Sequence, residues 1–359
     1  MNGMKRRLAV PILVAALAAA FLPDSSAMAA ETTVAAVAGY TGADREAFLE
    51  AGAKKEGSLL VYTIGTQSDP MFKRFQEIYP YVRLEVFRAP TPEITRRVIE
   101  EYKVGRHTAD VLDISTSGLQ AMRDERILQP YHSPEASAYA PDAREPNKLW
   151  VFDYEAYVGL GFNTRDVPPE IAPRTYDDLL DPRWKGRMTV SDNGSTLPNW
   201  VGATLLTKGE DYLRRLGRQD VRVYAILGRA LSNLVVSGEA PLSPLIYNSH
   251  MKNSRAKGAT VDWRALGPVY ANVNAVALAR NAPHPHASML YIDFTLSKEG
   301  QTMRVEIGDD SARIDLAPPD KPKEILYLSE RPNYAAEYER WTDLSKQIFA
   351  KGKALPEKN

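Results

Sequence analysis

Asn193-Gly194-Ser195-Thr196, at the expected start of a helix, is the segment of this 359-residue sequence best suited to chemistry with an anion. Free backbone N–H groups and the positive end of a helix dipole attract carboxylate or phosphate oxygens, although a Ser or Thr that only caps the helix leaves the same signature. Serine nucleophile chemistry is the other pattern to weigh. Ser249-His250-Met251-Lys252 and Ser254-Arg255-Ala256-Lys257 both fit Ser-x-x-Lys, and Ser191-Asp192-Asn193 fits the Ser-Asp-Asn element of serine acyl-transfer sites. Their order is reversed, Lys-Thr-Gly is absent, and neither a Gly-x-Ser-x-Gly elbow nor a P-loop occurs. A secreted serine hydrolase acting through Ser249 is therefore kept only as an alternative, and no catalytic residue is assigned. Zero cysteines excludes thiolate metal sites, iron–sulfur clusters, disulfides and cysteine nucleophiles. The histidines are His107, His132, His250, His284 and His286, with no His-Glu-x-x-His pattern among them. His284-Pro285-His286 reads as a solvent-facing helix start, and His250 is the one histidine worth testing.

Composition narrows the class further. The 45 Lys+Arg balance 45 Asp+Glu, which argues against nucleic acid as a partner. With 44% apolar and 25% charged residues the chain should pack, and its length suits two domains. Lys5-Arg6-Arg7, the 15-residue apolar run Leu8–Leu22 and Ala27-Met28-Ala29 read as an export signal over 1–29. Pro23-Asp24 ends that run short of a membrane span. Cleavage after Ala29 would leave 42 basic and 44 acidic residues, a mildly acidic exported protein.

The elements that must position a site follow from the periodicity. Leu59–Ile64, Val82–Phe87 and Asp110–Ile114 read as strands, with helices opened by Asp69-Pro70 and running through Ile94, Val98 and Tyr102. A β-α-β-α-β run of this kind implies a parallel sheet with ligands beyond the strands' carboxyl ends. Two loops are expected there, Gly65-Thr66-Gln67-Ser68 and Ser115-Thr116-Ser117. Extended stretches at Leu149–Phe152, Tyr157–Phe162 and Val269–Val276 surround a second α/β unit. Helices are expected at Pro285–Leu296 and Asn333–Lys351.

Four stretches in order carry a resemblance. Asp178-Leu179-Leu180-Asp181-Pro182-Arg183-Trp184-Lys185-Gly186-Arg187, Ser237-Gly238-Glu239-Ala240, Ala282-Pro283-His284-Pro285 and Asp293–Gln301 match, in sequence and spacing, the signatures of the periplasmic solute-binding proteins of ABC importers, ferric-ion-binding-like branch. The resemblance runs from about Leu59 to Gln301. It implies an α/β, type II periplasmic-binding-protein fold: two lobes, each an open sheet with flanking helices, joined by two hinge strands near Ala156 and Val273. Lobe 1 would hold 58–155 and 270–320, lobe 2 would hold 156–269, and 321–359 would form a helical segment packed on the lobes. The implied partners are a small-molecule ligand and the permease and ATPase of the importer. The protein is expected to be monomeric and periplasmic, with no cofactor.

The ferric relatives hold metal with paired tyrosines after Ser-Gly-Glu, because hard Fe(III) favours anionic oxygen ligands. Here that alignment places Tyr247 just before Asn248-Ser249, and the facing loops offer Thr66, Gln67 and Ser115. The expected metal ligands are replaced by neutral hydrogen-bonding groups. A small, anionic organic solute is therefore expected, bound by Thr66, Gln67, Ser115, Thr116, Gly194, Ser195, Thr196, Tyr247, Asn248 and Ser249, with ferric iron as the alternative. Tyr154, Tyr157, Trp200 and Tyr270 are further candidates for an aromatic wall.

Overall fold

The computed structural model describes residues 34–65, 67–192, 196–318, 321–331 and 333–349. The expected export signal and the candidates Thr66, Gly194 and Ser195 lie outside the described residues.

The strands are β1 (Ser58–Thr63), β2 (Arg83–Arg88), β3 (Val111–Ser115), β4 (Leu128–Gln129), β5 (Val151–Asn163), β6 (Thr189–Ser191), β7 (Arg222–Tyr224), β8 (Leu242–Tyr247), β9 (Val261–Arg264), β10 (Val269–Ala279), β11 (Asp310–Ser311) and β12 (Ile325–Leu326). The longer helices are α1 (Arg45–Glu56), α2 (Asp69–Ile78), α3 (Thr91–Lys103), α4 (Thr116–Asp124), α5 (Thr196–Gly217), α6 (Gly228–Ser237), α7 (Asn248–Ala256), α8 (Pro285–Leu296), α9 (Lys298–Glu306) and α10 (Tyr334–Phe349). None of the helices among the described residues is long and apolar enough to cross a membrane.

In the first half, β1 lies between β2 and β3, parallel to both, as the β-α-β-α-β pattern requires. Strand β10 then adds antiparallel to β3. The two expected stretches at Leu149–Phe152 and Tyr157–Phe162 are one uninterrupted strand, β5. Its first part pairs with β10, Glu155 opposite Val273 and Ala156 opposite Asn272, and its last part pairs with β8 and β9. β5 and β10 thus carry the chain from one half to the other and merge what would be two open sheets into one ten-stranded ladder.

Apolar packing nonetheless falls into two large cores, with a smaller cluster of Leu231, Val235, Ala240, Ile246, Met251 and Val261 beside the second. One core holds buried residues from Val34 to Phe152 and from Val273 to Ala312. The other holds residues from Val158 to Tyr270 and then Leu328, Trp341, Leu344 and Phe349. The break falls at the middle of β5 and near the start of β10, where Tyr157, Val269 and Ala271 form a small cluster of their own. The molecule is a two-lobed α/β protein. Its C-terminal helix α10 packs into the second core, with Trp341 against the helix α5, where a side chain at Gly202 would collide with the indole.

Three local expectations are corrected. Helix α2 starts at Asp69 with Ser68 as its N-cap, so the cap lies one residue earlier than Asp69-Pro70 suggests. The segment after β3 is not a loop: α4 begins at Thr116, because Thr116, Gly118, Leu119 and Met122 are buried. His284 and His286 do not face solvent freely. His284 Nδ1 lies 2.8 Å from Asp110, and His286 Nδ1 lies 2.6 Å from Glu56, so both open α8 by tying it to buried or half-buried carboxylates.

Behind the strands' carboxyl ends lies a buried charge cluster. Arg304 of α9, 1% exposed, contacts Asp113 of β3 at 3.2 Å, Asp153 of β5, Asp309 at 3.7 Å and the Ser68 hydroxyl at 2.7 Å. Burial and the adjacent Asp153 push the Asp113 carboxyl up against the opposing pull of Arg304. Burial likewise pushes Asp309 up to about 6.

Candidate functional site

The carboxyl ends of β1, β3 and β8 meet a cavity of about 390 Å³ between the lobes. Ile64 and Ser115 reach it from the first lobe, Thr196, Asn199 and Tyr247 from the second, and Tyr270–Val273 from the crossover strand β10. The C-terminal segment closes it with Ser329, Tyr334 and Tyr338.

Four helices present their N-terminal ends to this cavity. Pro90–Pro92 open α3, Ser115 is the N-cap of α4, Thr196 opens α5 and Tyr247 is the N-cap of α7. In α3, α4 and α7 no side chain caps the first turn, so no side chain competes with a bound group for the free backbone donors there. No Lys, Arg, His, Asp or Glu is among the described residues that line the cavity. Its polarity comes from hydroxyls, amides and helix ends. This arrangement suits an oxyanion held by N–H and O–H donors.

The polar side chains hold one another in place. Asn272 Nδ2 donates to the Tyr247 hydroxyl at 2.5 Å, and Tyr270 donates to Asn272 Oδ1. Thr196 Oγ1 lies 3.3 Å from the same Tyr247 oxygen. Tyr334 donates to Asn199 Oδ1 at 3.0 Å, and Ser115 donates to Asn274 Oδ1 at 3.3 Å. Burial pushes the Tyr247 and Tyr270 phenols up and Tyr334 up to about 12, so all three are neutral donors near neutral pH.

The sequence candidates distribute unevenly around this cavity. Ser115, Thr196 and Tyr247 line it. Thr116 is buried and does not line the cavity; its hydroxyl lies 2.6 Å from Oγ of the lining residue Ser329 and so fastens the C-terminal segment. Asn248 turns away to donate to Asp310, a residue of the first lobe. Ser249 is buried in the first turn of α7. Gln67 belongs to a second, outer chamber of about 990 Å³, bounded also by Arg229, His250 and Asn253 from lobe 2 and Glu306 from lobe 1. Of the aromatic candidates only Tyr270 joins Tyr247. Tyr154 accepts from Asn274, Tyr157 donates to Glu155, and Trp200 is fully buried in the second core. Asn199, Asn272, Tyr334 and Tyr338 escaped the sequence reading, since polar residues in a first helical turn or mid-strand look like surface positions.

The serine-nucleophile pattern loses its base here. Lys252, the lysine of the first Ser-x-x-Lys, is ion-paired to Asp310 at 3.0 Å, and the Ser254 hydroxyl of the second donates to the His250 carbonyl at 2.8 Å.

The sequence profile of the family described as bacterial extracellular solute-binding protein matches residues 107–327. The chain belongs to this family. An uncharacterised protein of Haemophilus influenzae is 27% identical over 72% of this solute-binding protein and 78% of its own length. A putative 2-aminoethylphosphonate-binding periplasmic protein of Salmonella typhimurium is 26% identical over 59% of this chain and 65% of its own. Among solved structures, iron-bound HitA from Pseudomonas aeruginosa superposes with a TM-score of 0.69 at 20% identity, covering 81% of this chain and 99% of HitA. That likeness establishes the two-lobed periplasmic-binding fold and leaves the ligand to the residues of the cleft.

Proposed function

We propose that this solute-binding protein captures a small anionic organic solute in its interlobe cleft and delivers it, in the periplasm, to the permease and ATPase of an ABC importer. The observation that carries the reading is the inner cavity: four helix N-termini converge on a space whose described lining is neutral and rich in donors. Ser115, Thr196 and Tyr247 contact the solute from opposite lobes, so binding favours closure about β5 and β10. The lobes are 58–155 with 270–320, and 156–269; the division of the apolar core in mid-β5 and near the start of β10 supports these limits. The segment from 321 onward belongs functionally to the cleft through Ser329, Tyr334 and Tyr338. The resemblance to a 2-aminoethylphosphonate-binding relative supports an acidic ligand.

A thermal-shift screen of organic carboxylates, phosphate esters and phosphonates, 2-aminoethylphosphonate included, tests the proposal. A ligand at 100 times its Kd stabilises the fold by about 2.7 kcal/mol. Ser115→Ala and Tyr247→Phe should each weaken the best hit by roughly 3–10-fold, the worth of one neutral hydrogen bond. Tight binding that ignores both substitutions would place the ligand elsewhere.

One observation favours a second reading. Tyr247, Tyr270, Tyr334 and Tyr338 bring four phenols to the cavity, a hard-oxygen set that Fe(III) could use once their protons are displaced. Ferric citrate should then generate a tyrosinate-to-iron absorption band that Tyr247→Phe removes; absence of the band dismisses iron.

A further inference from the structure

Arg229 is a half-buried charge in the cleft with no partner among the described residues. It stands in the first turn of α6, half-buried, and it lines the outer chamber with Gln67, Asn233, His250, Asn253 and Lys257. Among the described residues its guanidinium has neither a hydrogen bond nor an ion pair. Burial lowers its basicity, and the only opposing influence is the through-space field of Asp309. Asp309 is itself engaged by Arg304 at 3.7 Å. A guanidinium removed from water without a partner is costly, and an incoming oxyanion with bidentate geometry relieves that cost.

The outer chamber adjoins the inner one. Tyr247 lines the inner cavity, His250 lines the outer, and their rings touch edge to face at 5.3 Å between centroids. Gly228 sits against both rings, 3.2 Å from Tyr247 and 3.5 Å from His250 as measured from a side-chain position, which brings Arg229 next to this partition. His250 is held neutral, pushed down to about 4 by burial and by Arg229, and Ser232 fixes its ring at 2.9 Å. The outer chamber therefore offers amides and a neutral imidazole around the half-buried Arg229, with the exposed Lys257 as its second cation and Glu306 as the single carboxylate of its described lining.

We infer that Arg229 receives a second acidic group of the solute, so that the cleft selects a short molecule with an acid at each end, such as a dicarboxylate or a phosphorylated carboxylate. One acid meets the helix ends of the inner cavity and the other meets Arg229. This rests on the anion-capture reading and sharpens it.

The test uses the mature protein and three probes: 3-phosphoglycerate, glycerate and glycerol 3-phosphate, followed by succinate against butyrate. The compounds with two acids should bind at least tenfold more tightly than those with one, by calorimetry. Arg229→Gln should erase that difference by weakening only the diacids, about 10–100-fold, and Arg229→Lys should restore part of it. The ligand-free Arg229→Gln protein should melt no lower than the wild type, since the substitution removes an unpartnered charge. Single acids that bind as well as diacids, or a preference that survives Arg229→Gln, overturn the inference while anion capture stands. Binding of no acid at all overturns both. A variant whose ligand-free form melts lower while its affinities are intact would make Arg229 a counter-charge for Asp309, and would also overturn it.

Discussion

Asp309 is largely buried, and four charges act on it at once. Burial, the largest effect, carries its pKa up to about 6; Arg304 and Arg229 lower it, and Asp153 and Asp310 raise it. A carboxyl whose folded-state pKa lies above its unfolded value of 3.8 favours the fold when protonated. That stabilisation is complete below about pH 4 and is lost as pH rises through about 6. The loss should amount to roughly 3 kcal/mol, since each pH unit between the two values is worth about 1.4 kcal/mol. Asp309→Asn should flatten the fall in stability between pH 4 and 7.5, and at pH 7.5 it should be no less stable than the wild type. Urea melts across that range check this; parallel pH slopes for the two proteins would contradict it. Nothing near Gly308-Asp309-Asp310 in the sequence announces this. Arg304, Asp113 and Asp153 become neighbours only because α9, β3 and β5 converge, and local pattern carries no information about such pairs. Tyr247 was legible because a motif fixes its distance from Ser237-Gly238-Glu239. Asn272, Tyr334 and Arg229 were not, because a polar residue in a strand or an arginine on a helix looks the same whether it faces a cleft or water.

At the level of elements, the hydrophobic pattern suffices where a strand or helix buries one regular face. β1, α2, β2, α3 and β3 fall within a residue or two of their expected limits, since Phe72, Phe75, Ile94 and Val98 mark their buried sides. Helix α1 gives no such signal: only Leu49 and Ala53 are buried in it, and apart from Phe48 the rest of its sequence is charged or small. What holds α1 is its packing on α8. At Gly52 an added Cβ would lie 2.1–2.6 Å from the His286 ring. That ring cannot retreat easily, being hydrogen-bonded to Glu56 at 2.6 Å and packed on Phe48 at 5.1 Å. Gly→Ala in a helix ordinarily gains up to about 1 kcal/mol. Overpacking here costs about 1–3 kcal/mol, so Gly52→Ala should leave the protein less stable on balance, with solute affinity unchanged. A stabilised variant in chemical denaturation would show that α1 slides freely on α8.

The whole molecule works as a pair of lobes whose separation is set by a few contacts across the cleft. Asp310, 1% exposed on the first lobe, accepts from Asn248 and pairs with Lys252 at 3.0 Å, both on α7 of the second. The sequence alignment brought Asn248 to the right helix end but to the wrong role. Its side chain ties lobe to lobe through Asp310, while Tyr247 beside it lines the inner cavity. The two lobes themselves were legible from chain length and motif order, whereas the continuous sheet through β5 and β10 and the closing role of α10 depend on contacts between distant segments. Asn248→Asp tests the lobe contact at this scale. It sets a second carboxylate against buried Asp310, and Lys252, about half exposed, cannot neutralise both. The closed arrangement should lose population, and apparent affinity falls in proportion to the competent fraction. We expect Kd to rise about tenfold or more, with a larger radius of gyration in small-angle scattering of the ligand-bound protein. Lys252→Gln, which removes charge without adding repulsion, should have a smaller effect in the same direction. If Asn248→Asp binds and scatters like the wild type, the Asp310 contact does not govern closure, and the lobes must be held by the cavity lining and the solute alone.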